Sequence, residues 1–155
     1  MGIGKAFGFG LLTYAGANFG LYIVATLVTG GDIGVLFSSF ELVLLMFLGP
    51  AVVIPGQGFF TIGLLIDGFT LYWLFVAVWL LVPPLLGAIV AGKTGEEPKA
   101  AFLGWLLVPI ICAVGVVVVS YIVGTPAIAV TITAILYGVG NGLMWSGVAA
   151  LMAGP

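Results

Sequence analysis

Cys112-Ala113-Val114-Gly115-Val116-Val117-Val118-Val119 is apolar at every position and never alternates. A barrel strand facing lipid would alternate apolar and polar residues over about 10 positions. Helices are the other way to satisfy every backbone group in hydrocarbon, so this stretch is predicted helical. It sits inside an apolar run over 100–123, matching the roughly 20 residues needed to cross a bilayer. Comparable runs occupy 7–29, 33–54, 69–91 and 127–151. The expectation is an all-α, polytopic helical membrane protein, with 1–155 forming a single integral membrane domain of five spans. Composition agrees: 63% of the chain is hydrophobic and 5% charged, with a mean hydropathy of +1.41, whereas a soluble domain is about one quarter charged.

Punctuation between the runs sets the topology. Gly30-Gly31-Asp32, Pro55-Gly56-Gln57-Gly58, Asp67-Gly68 and Gly124-Thr125-Pro126 read as turns. Residues 55–68 are ambiguous, because Phe59–Ile66 is too apolar for a loop and too short to span; a re-entrant piece is one reading. Pro83-Pro84 and Pro109 should kink or break their helices. Lys5 precedes an apolar stretch and Ala15-Gly16-Ala17, a small-x-small cleavage pattern. The apolar run continues to Thr29, so an uncleaved first span is expected.

Lysine and arginine favour cytoplasmic loops. The basic residues are Lys5, Lys93 and Lys99, which places the 92–99 loop in the cytoplasm, with the prokaryotic cytoplasmic membrane as the expected location. Five spans put Lys5 on the opposite side from that loop. Six spans, with Ile33–Asp67 crossing twice through a break at Gly49-Pro50, put all three together.

Several chemistries are disfavoured. The chain has no His and no Arg, and its single cysteine, Cys112, lies in an apolar run. The commonest ligand for transition metals is therefore missing, as are bidentate phosphate clamps and a nucleic-acid footprint. No cofactor and no catalytic residue is expected. Gly87-Ala88-Ile89-Val90-Ala91-Gly92-Lys93-Thr94 matches the phosphate-loop pattern, but that loop needs a preceding strand and a surrounding nucleotide domain. Glu96-Glu97 would also repel a triphosphate, so nucleotide is not an expected partner. Thr61-Ile62-Gly63 is a fragment of a potassium-filter pattern without the second glycine.

The residues that could carry function are few. Ala134, Gly138, Gly142, Ser146 and Ala150 recur every fourth position, a stripe on which another helix can pack closely in lipid. Gly16 and Gly20 form a shorter version in the first span. Tyr14 and Asn18 in the first span are echoed by Tyr137 and Asn141 in the last, each pair spaced by four and needing hydrogen-bond partners away from water. Glu41 lies in an apolar segment, where an acid usually faces a cavity or a partner; Asp67 is the other candidate acid. These features lead to an expected accessory subunit of a larger membrane complex, partnered by lipid and by other membrane subunits or further copies of itself. The alternative is a small oligomeric transporter or channel with Glu41 or Asp67 as its coupling acid.

Overall fold

A computed structural model describes residues 2–124 and 128–154; Thr125 and Pro126 of the last expected turn and Ala127, the first residue of the expected last span, lie outside them. The elements are α1 (Gly2–Val28), α2 (Gly34–Phe37), α3 (Phe40–Leu48), α4 (Gln57–Asp67), α5 (Leu71–Thr94), α6 (Pro98–Ile122) and α7 (Ile128–Met152). A single 3-10 turn, Gly49–Ala51, follows α3. Four helices among the described residues, α1, α5, α6 and α7, are long and apolar enough to cross a membrane. The run at 33–54, read from sequence as a span, is not among them.

That run is broken twice. α2 ends at Ser38 after one turn, and α3 stops at Gly49-Pro50 because proline has no N–H to continue the ladder. Gly56 then adopts φ 81°, a left-handed conformation that a side chain would disfavour, and turns the chain into α4. The ambiguous piece at 55–68 is therefore largely this helix. At 1.5 Å per residue, the 9 residues of α3 and 11 of α4 reach about 14 and 16 Å. Each is half of a hydrocarbon core about 30 Å thick.

Close approaches between the long helices fix their directions. A Cβ on Gly2 would strike the Gly95 carbonyl oxygen, and one on Gly10 would meet Ala91 and Gly87, so α1 and α5 are antiparallel. Gly2 lies against Ala100 and Gly104 against Ala6, making α6 parallel to α1; Gly138 lies against Ala113 and Gly142 against Leu106, making α7 antiparallel to α6. One end of the bundle thus gathers Lys5, Lys93, Lys99, Glu96 and Glu97, and we call it the lysine face. Lys5 pairs with Glu96 there; the lysine ammonium, through its hydrogen bond and charge, holds that carboxyl below its ordinary range. The opposite, acid face carries Asp32, beyond the end of α1, and Asp67, the last residue of α4.

The path from the end of α1 to the start of α5 consequently begins and ends at the acid face. It turns back at the Gly49-Pro50 break, as an even number of crossings requires. Both arms are half-length, so the segment forms a hairpin whose arms are each shorter than the four long helices. Pro83, Pro84 and Pro109 do not end their helices; α5 and α6 continue through them.

The lysine-side half of the bundle is close-packed. Ala6, Ala88, Ala91, Ala101 and Ala149 are fully buried around Trp105. Small side chains let four backbones approach closely, which in lipid is the main source of association. The ring of Trp105 fits only because Gly87 has no side chain: a Cβ there would lie 2.3 Å from it.

Candidate functional site: a proline-broken hairpin capped by two asparagines

The hairpin tip lies at mid-depth, beside Asn18 of α1, Trp79 of α5, Gly115 of α6 and Gly140-Asn141 of α7. Leu48 packs on Gly115 and Pro55 on Gly140, both too close for a Cβ to fit without a shift. Unwound backbone at this depth must be buried in protein or line a cavity, and its carbonyls need donors.

Those donors can be traced to the prolines. In a continuous helix the Met46 carbonyl would accept from the N–H of residue 50 and the Ala51 carbonyl from that of residue 55. Residues 50 and 55 are Pro50 and Pro55, which have none. Asn18 donates to the Met46 carbonyl at 3.0 Å and to that of Phe47 at 3.3 Å. Asn141 donates to the carbonyls of Pro50 and Ala51 at 3.2 and 3.3 Å. The Tyr14 hydroxyl donates to the Phe47 carbonyl at 2.6 Å. The Asn18 side-chain oxygen in turn accepts from the Trp79 indole N–H at 2.5 Å. Asn18, Tyr14 and Asn141 are buried, at 0%, 1% and 2% exposure, so water does not compete for these bonds.

The paired echo in the first and last spans therefore has a shared target. Tyr137 is the exception: it is half-buried on α7 and makes no hydrogen bond to the segment. Sequence reading identified the asparagines without their acceptors. The missing clue was the position of each proline four residues after an otherwise stranded carbonyl.

An apolar crevice of about 800 Å³ opens beside the hairpin in the acid-side half. Its walls come from the C-terminal half of α1, from α2 and α3, and from the N-terminal half of α5, and include Ala25, Val76 and Phe75. Trp79 and Met46 line it, and both hydrogen-bond Asn18, so the capped break borders the crevice. Asp32 is its one ionisable acid.

The candidate acids lie elsewhere. Asp67 is exposed at the end of α4. Glu41 is half-exposed in the first turn of α3, where its carboxylate accepts from the Ser39 hydroxyl. Neither lines the crevice. Glu41→Gln keeps an acceptor for Ser39 and should change stability by no more than about 0.5 kcal/mol, as for ordinary surface substitutions. A thermal melt in detergent checks this, and a loss of several degrees would show that the charge itself is structural.

The small-residue stripe of α7 faces inward along most of its length. Ala134, Gly138, Gly142 and Ser146 are buried, and Ala150 is half-buried as the four-residue step drifts around the helix. The Ser146 hydroxyl and the Trp105 indole N–H are buried in the lysine-side half without a hydrogen-bond partner. Gly16 and Gly20 are exposed, and a Cβ on either would meet nothing within 4 Å. Comparison of the chain with protein-family models, curated proteins and solved structures gave no match, so its functional reading rests on this geometry.

Proposed function

We propose that this chain is a small, non-catalytic membrane carrier that admits an apolar or amphipathic solute from the acid face to the mid-membrane break. The observation that supports this is the junction of two features: a crevice open in one half of the bundle, and a re-entrant hairpin whose capped tip borders it. Discontinuous helices meeting near the midplane are a recurring basis of solute sites in transporters, and access changes by rocking one part against another. Closure of the lysine-side half by alanine and glycine packing makes this an acid-side-open state. Glu41 and Asp67 have no part in this reading, since neither borders the crevice. With the lysine face inward, the 92–99 loop is cytoplasmic and the crevice opens outward.

Spin labels can test the carrier reading without a known substrate. Pairs at Thr29/Tyr72 across the crevice mouth and at Gly4/Thr94 at the lysine face would be measured in lipid nanodiscs. Two populations with opposite changes at the two ends are expected. A single narrow separation at both ends would contradict alternating access.

The second reading, an accessory subunit, is favoured by the lipid-facing side of α1. Gly4, Gly8, Gly16 and Gly20 have no neighbour that a Cβ would meet, a surface suited to a helix from another subunit or copy. Migration on a native gel with a stoichiometric larger assembly would support this reading; a monomer or self-contained oligomer would support the carrier.

A further inference from the structure

The polar groups lining the crevice restrict the chemistry of its occupant. The Thr26 hydroxyl donates to the Tyr22 carbonyl at 2.8 Å, and that of Thr29 to the Ala25 carbonyl at 2.8 Å. Both hydroxyl hydrogens are thus used within α1, leaving only oxygen lone pairs for a ligand. The Trp79 indole N–H is likewise taken, by Asn18. Asp32 stands on the crevice wall with its carboxylate steadied by the Gly34 N–H at 2.7 Å. Apart from the tyrosine hydroxyls of Tyr22 and Tyr72, which can donate or accept, the polar side chains of the lining offer acceptors and negative charge.

The surroundings reinforce that polarity. All three lysines of the chain belong to the lysine face, whereas Asp32 and Asp67 lie toward the acid face and Glu41 heads the α3 arm entering from it. An anion approaching the crevice would meet no compensating side-chain charge there. A cation would meet Asp32 and then aromatic rings at Tyr22, Tyr72, Phe75 and Trp79, whose faces attract positive charge. The volume falls within the range of drug-sized ligand sites, about 300–1,000 Å³.

Resting on the carrier reading, we infer that the crevice binds a lipophilic organic cation, with its charge toward Asp32 and its apolar body against Trp79. Asp32 is exposed at the crevice wall, and the attraction of a carboxylate a few ångströms away makes a change of about tenfold the expected effect of neutralising it.

Tetraphenylphosphonium and tetraphenylborate share size and shape and differ in charge, so they separate electrostatics from burial. Equilibrium dialysis against the full chain in zwitterionic nanodiscs, corrected with empty discs, should show saturable binding of the cation and none of the borate. Asp32→Asn should weaken the cation about tenfold. Ala25→Trp, which fills the crevice, should abolish saturable binding; Val76→Phe serves if that variant does not fold. Equal binding of both ions, or an unchanged affinity in Asp32→Asn, would overturn the cation inference while leaving the carrier reading to the spin-label test. No saturable binding, or binding indifferent to both filling variants, would overturn the crevice as the site.

Discussion

Asn18→Leu should destabilise the protein by about 1–4 kcal/mol, because it strands a buried carbonyl at about 1–3 kcal/mol and a half-buried indole N–H at less. Those groups are the Met46 carbonyl and the Trp79 indole N–H; the Phe47 carbonyl retains Tyr14. Hydrogen bonds between membrane helices average only about 0.6 kcal/mol, because an unfolded chain in lipid finds other partners. Here that escape is narrower. The Met46 carbonyl cannot recover a helical donor, since residue 50 is proline in every conformation. Pro50→Ala placed on Asn18→Leu supplies the missing N–H and should restore part of the loss, whereas Tyr137→Phe should leave the melt unchanged. Denaturation in mixed micelles, followed by helical circular dichroism, reads all three. If Asn18→Leu melts like Tyr137→Phe, the asparagine is not what closes the break.

Gly142→Leu is the second large effect. Its first added carbon would lie 2.6 Å from Pro109 Cγ and 3.1 Å from a Leu106 methyl. Pro109 is part of the α6 backbone and cannot rotate away, so α6 and α7 must separate, typically at about 1–3 kcal/mol and more where backbone has to move. Val139→Leu, at an exposed position on α7, should be tolerated. Gly16→Leu makes a sharper contrast because it enlarges a glycine with nothing within 4 Å. It should leave the monomer's melt unchanged, and any loss of a larger assembly in that variant would locate a partner on α1. Equal melts for Gly142→Leu and Val139→Leu would mean that the stripe does not hold α7 to α6.

These contrasts show which physical signals the sequence carries openly. The helices α5, α6 and α7 are legible because twenty or so apolar residues have one stable arrangement in lipid. Ala134, Gly138 and Gly142 are legible for a related reason: small side chains at helical spacing leave room for a neighbouring backbone. Gly16 and Gly20 carry the same pattern with nothing among the described residues for a Cβ to meet, since spacing defines a face and not what covers it. The run at 33–54 has the hydropathy of a span, and hydropathy is blind to backbone breaks. Its half-length arms become evident only when Pro50 and Pro55 are counted as missing donors and Asn18 and Asn141 as the replacements. The crevice was not legible at all, because Ala25, Asp32, Val76 and Trp79 come from separate elements that meet only in the fold.

Cysteine accessibility tests whether 33–67 is a re-entrant hairpin. In a Cys112→Ala background, single cysteines at Gly31, Val53, Gly68 and Thr94 would be treated with a membrane-impermeant thiol reagent from each side of sealed vesicles. Gly31 and Gly68 should react from one side, Thr94 from the other, and Val53, at the mid-membrane tip, from neither. Reaction of Gly31 and Gly68 from opposite sides would make 33–67 a true span. Reaction of Val53 from the Thr94 side would mean that the segment crosses fully and returns, and either result would contradict a hairpin held at half depth by Asn18 and Asn141.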